Sequence, residues 1–399
     1  MTFDFSGSYA PRVERFQGSA VREMFHWARL PGMISLAAGS PAPELFPVED
    51  FRRACNEVLD EEPIGALQYG ITEGYLPLRE WIAEHLKSKG FTVTPDEILI
   101  TTGSQQAMDL LVRVLIDKGD LVVVERPTFI ATLQALDTCE AEFLSARMDG
   151  QGLIVEELER RLDGAKPKLI CAQPNFQNPS GVSMSLPRRM QLAHLAGERG
   201  IPIVEDDPYG ELIYEGEALP SIKSFDGQGL TLYLGSFSKI LMPGLRIGWA
   251  AGPAELLDKM AVVKQSCDLH TDGLVQRVVS RMVRSGELPA HIEKLRAEYR
   301  LRRDSMLAAL QEHFPAEATW THPRGGLFVW VELPEGVDCG DFMRPAVDRL
   351  VLFPPGAGFF RDGTGQNTMR LNFSNQPPDN IREGVKRLGE VIKEHLARA

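Results

Sequence analysis

Between residues 97 and 234 the chain repeats one arrangement: a short β-rich run, a turn, then a stretch whose apolar residues recur three and four apart. The runs are Glu97–Thr101, Leu121–Glu125, Lys168–Ala172, Ile201–Glu205 and Leu230–Leu234; helical spacing covers Gln105–Leu115, about Thr128–Leu136 and Pro187–Arg199. Short strands alternating with helices predict an α/β domain with a largely parallel sheet. In such sheets ligands bind outside the carboxyl ends of the strands, so the informative residues should lie just after each run.

The flanking sequence reads differently. Residues 1–50 are irregular and punctuated by Gly and Pro, with a helical patch around Ala20–Ala28 and an apolar run, Met33–Ala38, that enters the turn Gly39-Ser40-Pro41-Ala42-Pro43. Val48–Leu59 and Leu76–Lys89 have helical spacing. Beyond Gly252 come a helix over Pro253–Gln265 and one long charged helix over Leu288–Phe314. A strand pair within Thr319–Leu333, a strand Thr368–Phe373 and an amphipathic helix Asn380–Leu396 close the chain. We expect a large α/β domain over 51–284, with 1–50 and 285–399 forming a smaller α+β domain.

Bulk properties exclude several function classes. A net charge of -12 argues against nucleic acid or an anionic membrane surface as the main partner. The five cysteines are scattered, odd in number and without a Cys-x-x-Cys pair, which disfavours a disulfide framework or a metal site and fits a reducing cytoplasm. The N-terminal residues lack the order of a signal peptide, and no run is long enough to span a membrane.

Each strand end carries a chemically useful group. After Thr101, Thr102-Gly103-Ser104-Gln105 opens a helix, and free N–H groups at a helix start bind phosphate. After Glu125 comes Phe129, which would stack on a flat heteroaromatic ring. After Ala172 comes Asn178, whose amide would bond a phenolate-like oxygen. After Glu205, Asp206 and Tyr209 suit the ring nitrogen and ring oxygen of a pyridine. After Leu234, Ser236-Phe237-Ser238-Lys239 and Arg246 offer an amine beside a phosphate cradle, the combination that binds pyridoxal phosphate through a Schiff base. Singly, each has an ordinary reading: an N-cap serine, a core phenylalanine, an Asn-Pro or Asp-Pro turn, a solvated lysine. Jointly, five strand ends each address a different edge of one cofactor.

Asn178-Pro179-Ser180-Gly181, Asp206-x-x-Tyr209 and Ser236-x-Ser238-Lys239 resemble fold-type I pyridoxal-phosphate enzymes. The continuation Pro243-Gly244-Leu245-Arg246-x-Gly248-Trp249 resembles class I aminotransferases, and among them the kynurenine/2-aminoadipate (lysine-biosynthesis) type. Further matches run from Val21-Arg22-Glu23 through Pro43–Pro47 to Met369–Phe373. The resemblance implies a mostly parallel seven-stranded sheet between helices, and a homodimer with shared active sites. It implies a ping-pong transfer of the amino group of an L-amino acid (2-aminoadipate, aromatic or large aliphatic) to a 2-oxo acid such as 2-oxoglutarate.

Residue by residue, it implies Lys239 as Schiff-base lysine and proton shuttle, and Asp206 as partner of the ring nitrogen. Asn178 and Tyr209 fall on the ring oxygen, Phe129 over the ring, and Ser104, Gln105, Ser236, Ser238 and Arg246 around the phosphate. Relatives often carry tyrosine where Phe129 stands, so one hydroxyl contact is missing here. Tyr69 would reach the phosphate of the neighbouring subunit. Arg370 would clamp the substrate α-carboxylate, Gly39 would line the substrate side, and Arg22 would meet a distal carboxylate. Ala37-Ala38-Gly39-Ser40 departs from the more usual double glycine.

Three alternatives stand at this point, one of them a non-enzymatic binding or structural protein, which Lys239 and Asp206 disfavour. A pyridoxal-phosphate β-lyase, decarboxylase or cyclase would share every cofactor residue. A transcriptional regulator with an aminotransferase-like domain would carry a DNA-binding module ahead of it; a match beginning near residue 20 and the acidic charge disfavour that reading.

Overall fold

The runs that follow the helical stretches are buried on both faces, and they form the centre of one sheet. In the computed structural model, which describes residues 5, 7–10, 13, 24 and 26–397, thirteen strands are present among the described residues. They are β1 (Ile34–Ser35), β2 (Ile98–Thr101), β3 (Leu121–Arg126), β4 (Glu142–Asp149), β5 (Gly152–Leu153), β6 (Leu169–Ala172), β7 (Ile203–Asp206), β8 (Thr231–Ser236), β9 (Gly248–Ala251), β10 (Thr319–Trp320), β11 (Phe328–Glu332), β12 (Val351–Leu352) and β13 (Thr368–Asn372).

The large sheet has the order β2-β9-β8-β7-β6-β3-β4-β5. Strands β8, β7, β6, β3 and β4 run parallel; β9 is antiparallel to both its neighbours, and β5 is a two-residue antiparallel return on β4. The sheet therefore has eight strands where seven were expected, the additional one being Gly152–Leu153. All residues of β2, β6, β7, β8 and β9 are buried, as helices on both faces require. The α/β class and the mostly parallel sheet agree with the sequence reading. Because β9 runs antiparallel to both β8 and β2, the end of β8, the start of β9 and the end of β2 meet at one edge of the sheet.

A three-stranded antiparallel sheet, β10-β11-β13, packs beside the helices Leu288–His313 and Pro378–Leu396. The long helix is charged, yet Arg302 and Arg303 are buried because each is paired: Arg302 with Glu44 and Glu298, Arg303 with Glu215. The segment after β1 threads between the last strands. Ile34 N–H donates to Leu350, Leu36 N–H to Leu352, and Asn372 N–H to Leu36. Lys239, just after β8, donates to the Gly39 carbonyl, which lays the segment against the carboxyl edge of the large sheet.

Candidate active site

Strand order brings the strand-end residues together. The ends of β3, β6, β7 and β8 are neighbours, and the turns after them enclose a cavity of about 320 Å³ with the segment 37–40. Gly39, Phe129, Asn178, Tyr209, Lys239 and Arg370 all line it.

Lys239 follows β8 and points its Nζ at the Gly39 carbonyl, 2.7 Å away. Burial first, then the positive charges of Arg370 and Arg246, lower its pKa from 10.5 to about 8. The amine is thus partly uncharged near neutrality, the form in which nitrogen is a nucleophile and a base.

Asp206 ends β7. Its Oδ2 accepts from Gln173 Nε2, while its Oδ1 is buried without a hydrogen-bond partner. Burial, with the nearby Asp207 adding, raises its pKa to about 6, against the pull of Gln173. A buried carboxylate oxygen without a donor is costly unless something absent from the chain itself supplies one.

Asn178 is fixed by its neighbours: its backbone N–H donates to Gln173 Oε1 at 2.9 Å, and its side-chain nitrogen lies 3.4 Å from the Tyr209 hydroxyl. Tyr209 packs edge-on against Phe328, and burial holds its hydroxyl protonated.

A second cluster sits where β8, β9 and the helix Ser104–Leu115 converge. Ser236 Oγ bonds Ser238 Oγ at 2.9 Å, and Arg246 reaches Ser238 Oγ at 3.5 Å and the Thr102 carbonyl at 3.3 Å. Gly103, at φ 77°, is the N-cap of that helix and gives it no side-chain cap. A Cβ on Gly103 would lie 2.4 Å from Arg246 Nη2, and one on Gly248 2.5 Å from the Ser104 nitrogen. The absence of these two side chains keeps the helix start open to an anion. Ser104 is half-buried there, whereas Gln105 is exposed, its amide 3.4 Å from the Ala131 carbonyl.

Arg370, on β13, is buried between Phe328 and Phe359, whose ring centres lie 4.4 and 5.1 Å from its Cζ. It donates to Asn178 Oδ1 at 2.8 Å and to the Ala37 carbonyl at 2.6 Å, and its Nε has no partner. It forms no ion pair with a carboxylate of the described residues; burial lowers its pKa to about 10. A buried guanidinium without a counterion is prepared for a carboxylate.

Tyr69 lies elsewhere: it is 79% exposed, and its ring meets that of His270 edge to face, 5.9 Å between centres. Arg22 lies outside the described residues. The sequence reading did not single out Gln173 and Gln177, which brace Asn178 and Asp206, or Phe328 and Phe359, which sandwich Arg370. Gln173 was findable as the first residue after β6; the two phenylalanines had no local signal.

This arrangement pairs an amine of lowered pKa with a bare carboxylate oxygen, an open helix start and an unpaired guanidinium. The chain belongs to the aminotransferase class I and II family, whose description matches residues 31–388. It is 44% identical over 99% of its length to aromatic-amino-acid aminotransferase 1 of Thermococcus litoralis, covering 96% of that protein. Two solved structures superpose closely. The kynurenine aminotransferase of Pyrococcus horikoshii gives a TM-score of 0.95 at 43% identity, over 98% of each chain. LysN, the α-aminoadipate aminotransferase of Thermus thermophilus with phosphopyridoxyl-leucine, gives 0.94 at 39% identity, over 100% of each chain. The chain is therefore an aminotransferase, and its family and these complexes imply pyridoxal phosphate as cofactor.

Proposed function

We propose that this enzyme moves the amino group of an aromatic, large aliphatic or 2-aminoadipate-like L-amino acid to a 2-oxo acid such as 2-oxoglutarate. The observation that carries this reading is Arg370, a buried cation lacking a counterion in the same cavity as Lys239. The remaining described lining is largely apolar, including Met24, Ile130, Leu352 and Phe359, which suits a large hydrocarbon or aromatic side chain.

The residues fit the cofactor on three counts: the orphaned Asp206 oxygen suits a ring N–H, the Gly103 and Gly248 positions leave room for a phosphate, and Lys239 Nζ is primed. When bound, pyridoxal phosphate supplies a carbonyl to take up the amino group and a protonated ring that draws off electrons released at Cα. Asp206 would keep the ring nitrogen protonated. Asn178 and Tyr209 would hold the ring oxygen, Phe129 would cover the ring, and Ser104, Gln105, Ser236, Ser238 and Arg246 would surround the phosphate. Lys239 would be the point of attachment and, once free, would carry the proton taken from Cα on its Nζ. Arg370 would bind the α-carboxylate through its fork and so fix Cα within reach of that nitrogen. Gly39 keeps the facing segment slim, since a Cβ there would lie 2.9 Å from Phe328 Cζ.

The unit 51–284 would hold the cofactor, and 1–50 with 285–399 would supply most of the substrate side. We place the enzyme in the cytoplasm, a location that its five free cysteines suit and where no helix of the described residues is long and apolar enough to cross a membrane. A homodimer is supported by the exposed apolar side chains Ile64, Leu67 and Ile71 beside Tyr69, which would reach a neighbouring subunit's phosphate.

The test is a panel of amino donors with 2-oxoglutarate, read as glutamate formed. Aromatic, large aliphatic and 2-aminoadipate donors should be fastest. Ammonia or carbon dioxide without glutamate would instead support a lyase or decarboxylase.

A further inference from the structure

The roles above leave one strand-end carboxyl unused. Glu125 lies on β3, separated from β7 and Asp206 only by β6, and is 2% exposed. Its Oε2 accepts from Gln177 Nε2 at 3.1 Å, and its Oε1 is buried without a partner. The titratable groups facing it are Cys171 from β6 and Asp206 from β7, neither a cation. The adjacent Arg126 turns away to Asp362 and Thr364. An ionised carboxylate here would be desolvated, unpaired and close to a second carboxylate, so the site tolerates the neutral acid. Burial, with Asp206 adding, raises its pKa to about 8, although Gln177 and the Gln173 backbone pull the other way.

Two glutamines join Glu125 to the cofactor floor. Gln177 also donates to the Pro127 carbonyl at 2.8 Å and accepts from Ser180 N at 3.0 Å and Ser180 Oγ at 2.6 Å, which fixes the turn that presents Asn178. Gln173, after β6, donates to Asp206 Oδ2 and accepts from Asn178 N at 2.9 Å.

We propose that Glu125 is a positioning residue: held as the uncharged acid, it anchors the Gln177 turn and adds no further negative charge to that of Asp206 and its neighbour Asp207 beneath the cofactor ring. The proposal rests on the reading of Asp206 given above. Ionisation of Glu125 would bury a like charge near Asp206, and no cation faces it among the described residues to balance that charge.

The experiment compares wild-type holoenzyme with Glu125→Gln, following bound-cofactor absorbance and the rate of cofactor release from neutral to alkaline pH. The amide keeps the uncharged acid's size and an oxygen to accept from Gln177, and it does not ionise. The two proteins should coincide at neutral pH and part above about pH 8, where wild type alone releases cofactor several-fold faster. Lys239 is common to both proteins, so the difference isolates Glu125. Coincidence at every pH would overturn the proposal, as would a difference already present at neutral pH. A Glu125→Gln protein that does not fold would overturn it too, because a neutral isostere should be accepted. Asp206→Asn, measured alongside, separates the two ideas: wild-type absorbance and release in that variant would remove the reading of Asp206, whatever the Glu125 curves show.

Discussion

The strand ends of the large sheet and the segment 37–40 face each other across one cavity, but they are held in place differently. On the sheet side, side chains lock one another: Gln173 to Asp206, Gln177 to Glu125, Ser236 to Ser238. On the facing side, backbone carbonyls make the contacts: Ala37 receives Arg370, Gly39 receives Lys239, and Ser40 receives Ser374. A carbonyl is present whatever the side chain is. Apart from Gly39, where a Cβ would lie 2.9 Å from Phe328 Cζ, the facing segment can therefore change its side chains while still meeting Lys239 and Arg370. The sheet side lacks that freedom, because each side chain there is another's partner.

If the two sides divide chemistry from selection in this way, the largest loss should follow removal of Lys239. We expect Lys239→Ala to lower kcat by ~10⁴-fold or more, the upper end of what a positioned acid–base group contributes. Glutamate formation should fall equally with every donor. The lowered pKa adds a sign: the uncharged amine dominates only above about pH 8, so attachment of pyridoxal phosphate to wild-type apoprotein should quicken as pH rises through 8 and then level. A flat profile would mean that burial does not prime this amine.

Arg370→Ala should come next, lowering kcat/KM by roughly 10²- to 10³-fold, as when one member of a buried charge pair is truncated. Its cofactor absorbance should stay that of wild type. A variant that lost its cofactor would place Arg370 with the sheet-side network and blur the division.

The comparison also explains what the sequence made legible. Asp206, Asn178, Ser236 and Lys239 each lie within about six residues of a strand end, so reading the strands also located them. Strand β4 escaped notice because its residues are mostly exposed or half-exposed, and no continuous apolar run marks it. Strand β9 is a four-residue piece, Gly248–Ala251, that reads as the continuation of the Arg246 turn. Glu125 was visible as a strand end, but its relation to Asp206 depends on β6 lying between β3 and β7, an order the sequence does not state. The side of the cavity facing the sheet is assembled from opposite ends of the chain: Met24 and the segment 37–40 from one, Leu352, Phe359 and Arg370 from the other. No local pattern could have gathered them, and the Arg22 expectation lies outside the described residues.

A smaller effect is expected where the open helix start depends on a missing side chain. Gly103→Ala would place a Cβ 2.4 Å from Arg246 Nη2, at a φ of 77° that costs an L-residue roughly 1–2 kcal/mol. Cofactor affinity should fall about tenfold, read by titrating apoprotein with pyridoxal phosphate. At saturating cofactor, kcat should change little, because Arg246 moves only at its flexible end.

The mildest test lies where the two sides meet. Phe129 comes from the turn after β3 and lines the cavity, and the neighbouring Thr128 N–H donates to the Phe359 carbonyl at 2.9 Å on the facing side. Phe129→Tyr would add a hydroxyl at this position. A net hydrogen bond of about 0.5–1.5 kcal/mol corresponds to roughly 2- to 10-fold tighter cofactor binding. If the hydroxyl serves the cofactor alone, the gain should appear in pyridoxal phosphate titrations and leave the ranking of donors untouched. A reordered donor panel with unchanged cofactor affinity would assign residue 129 to the substrate side, and the boundary between the two halves of the site would then run through the turn after β3.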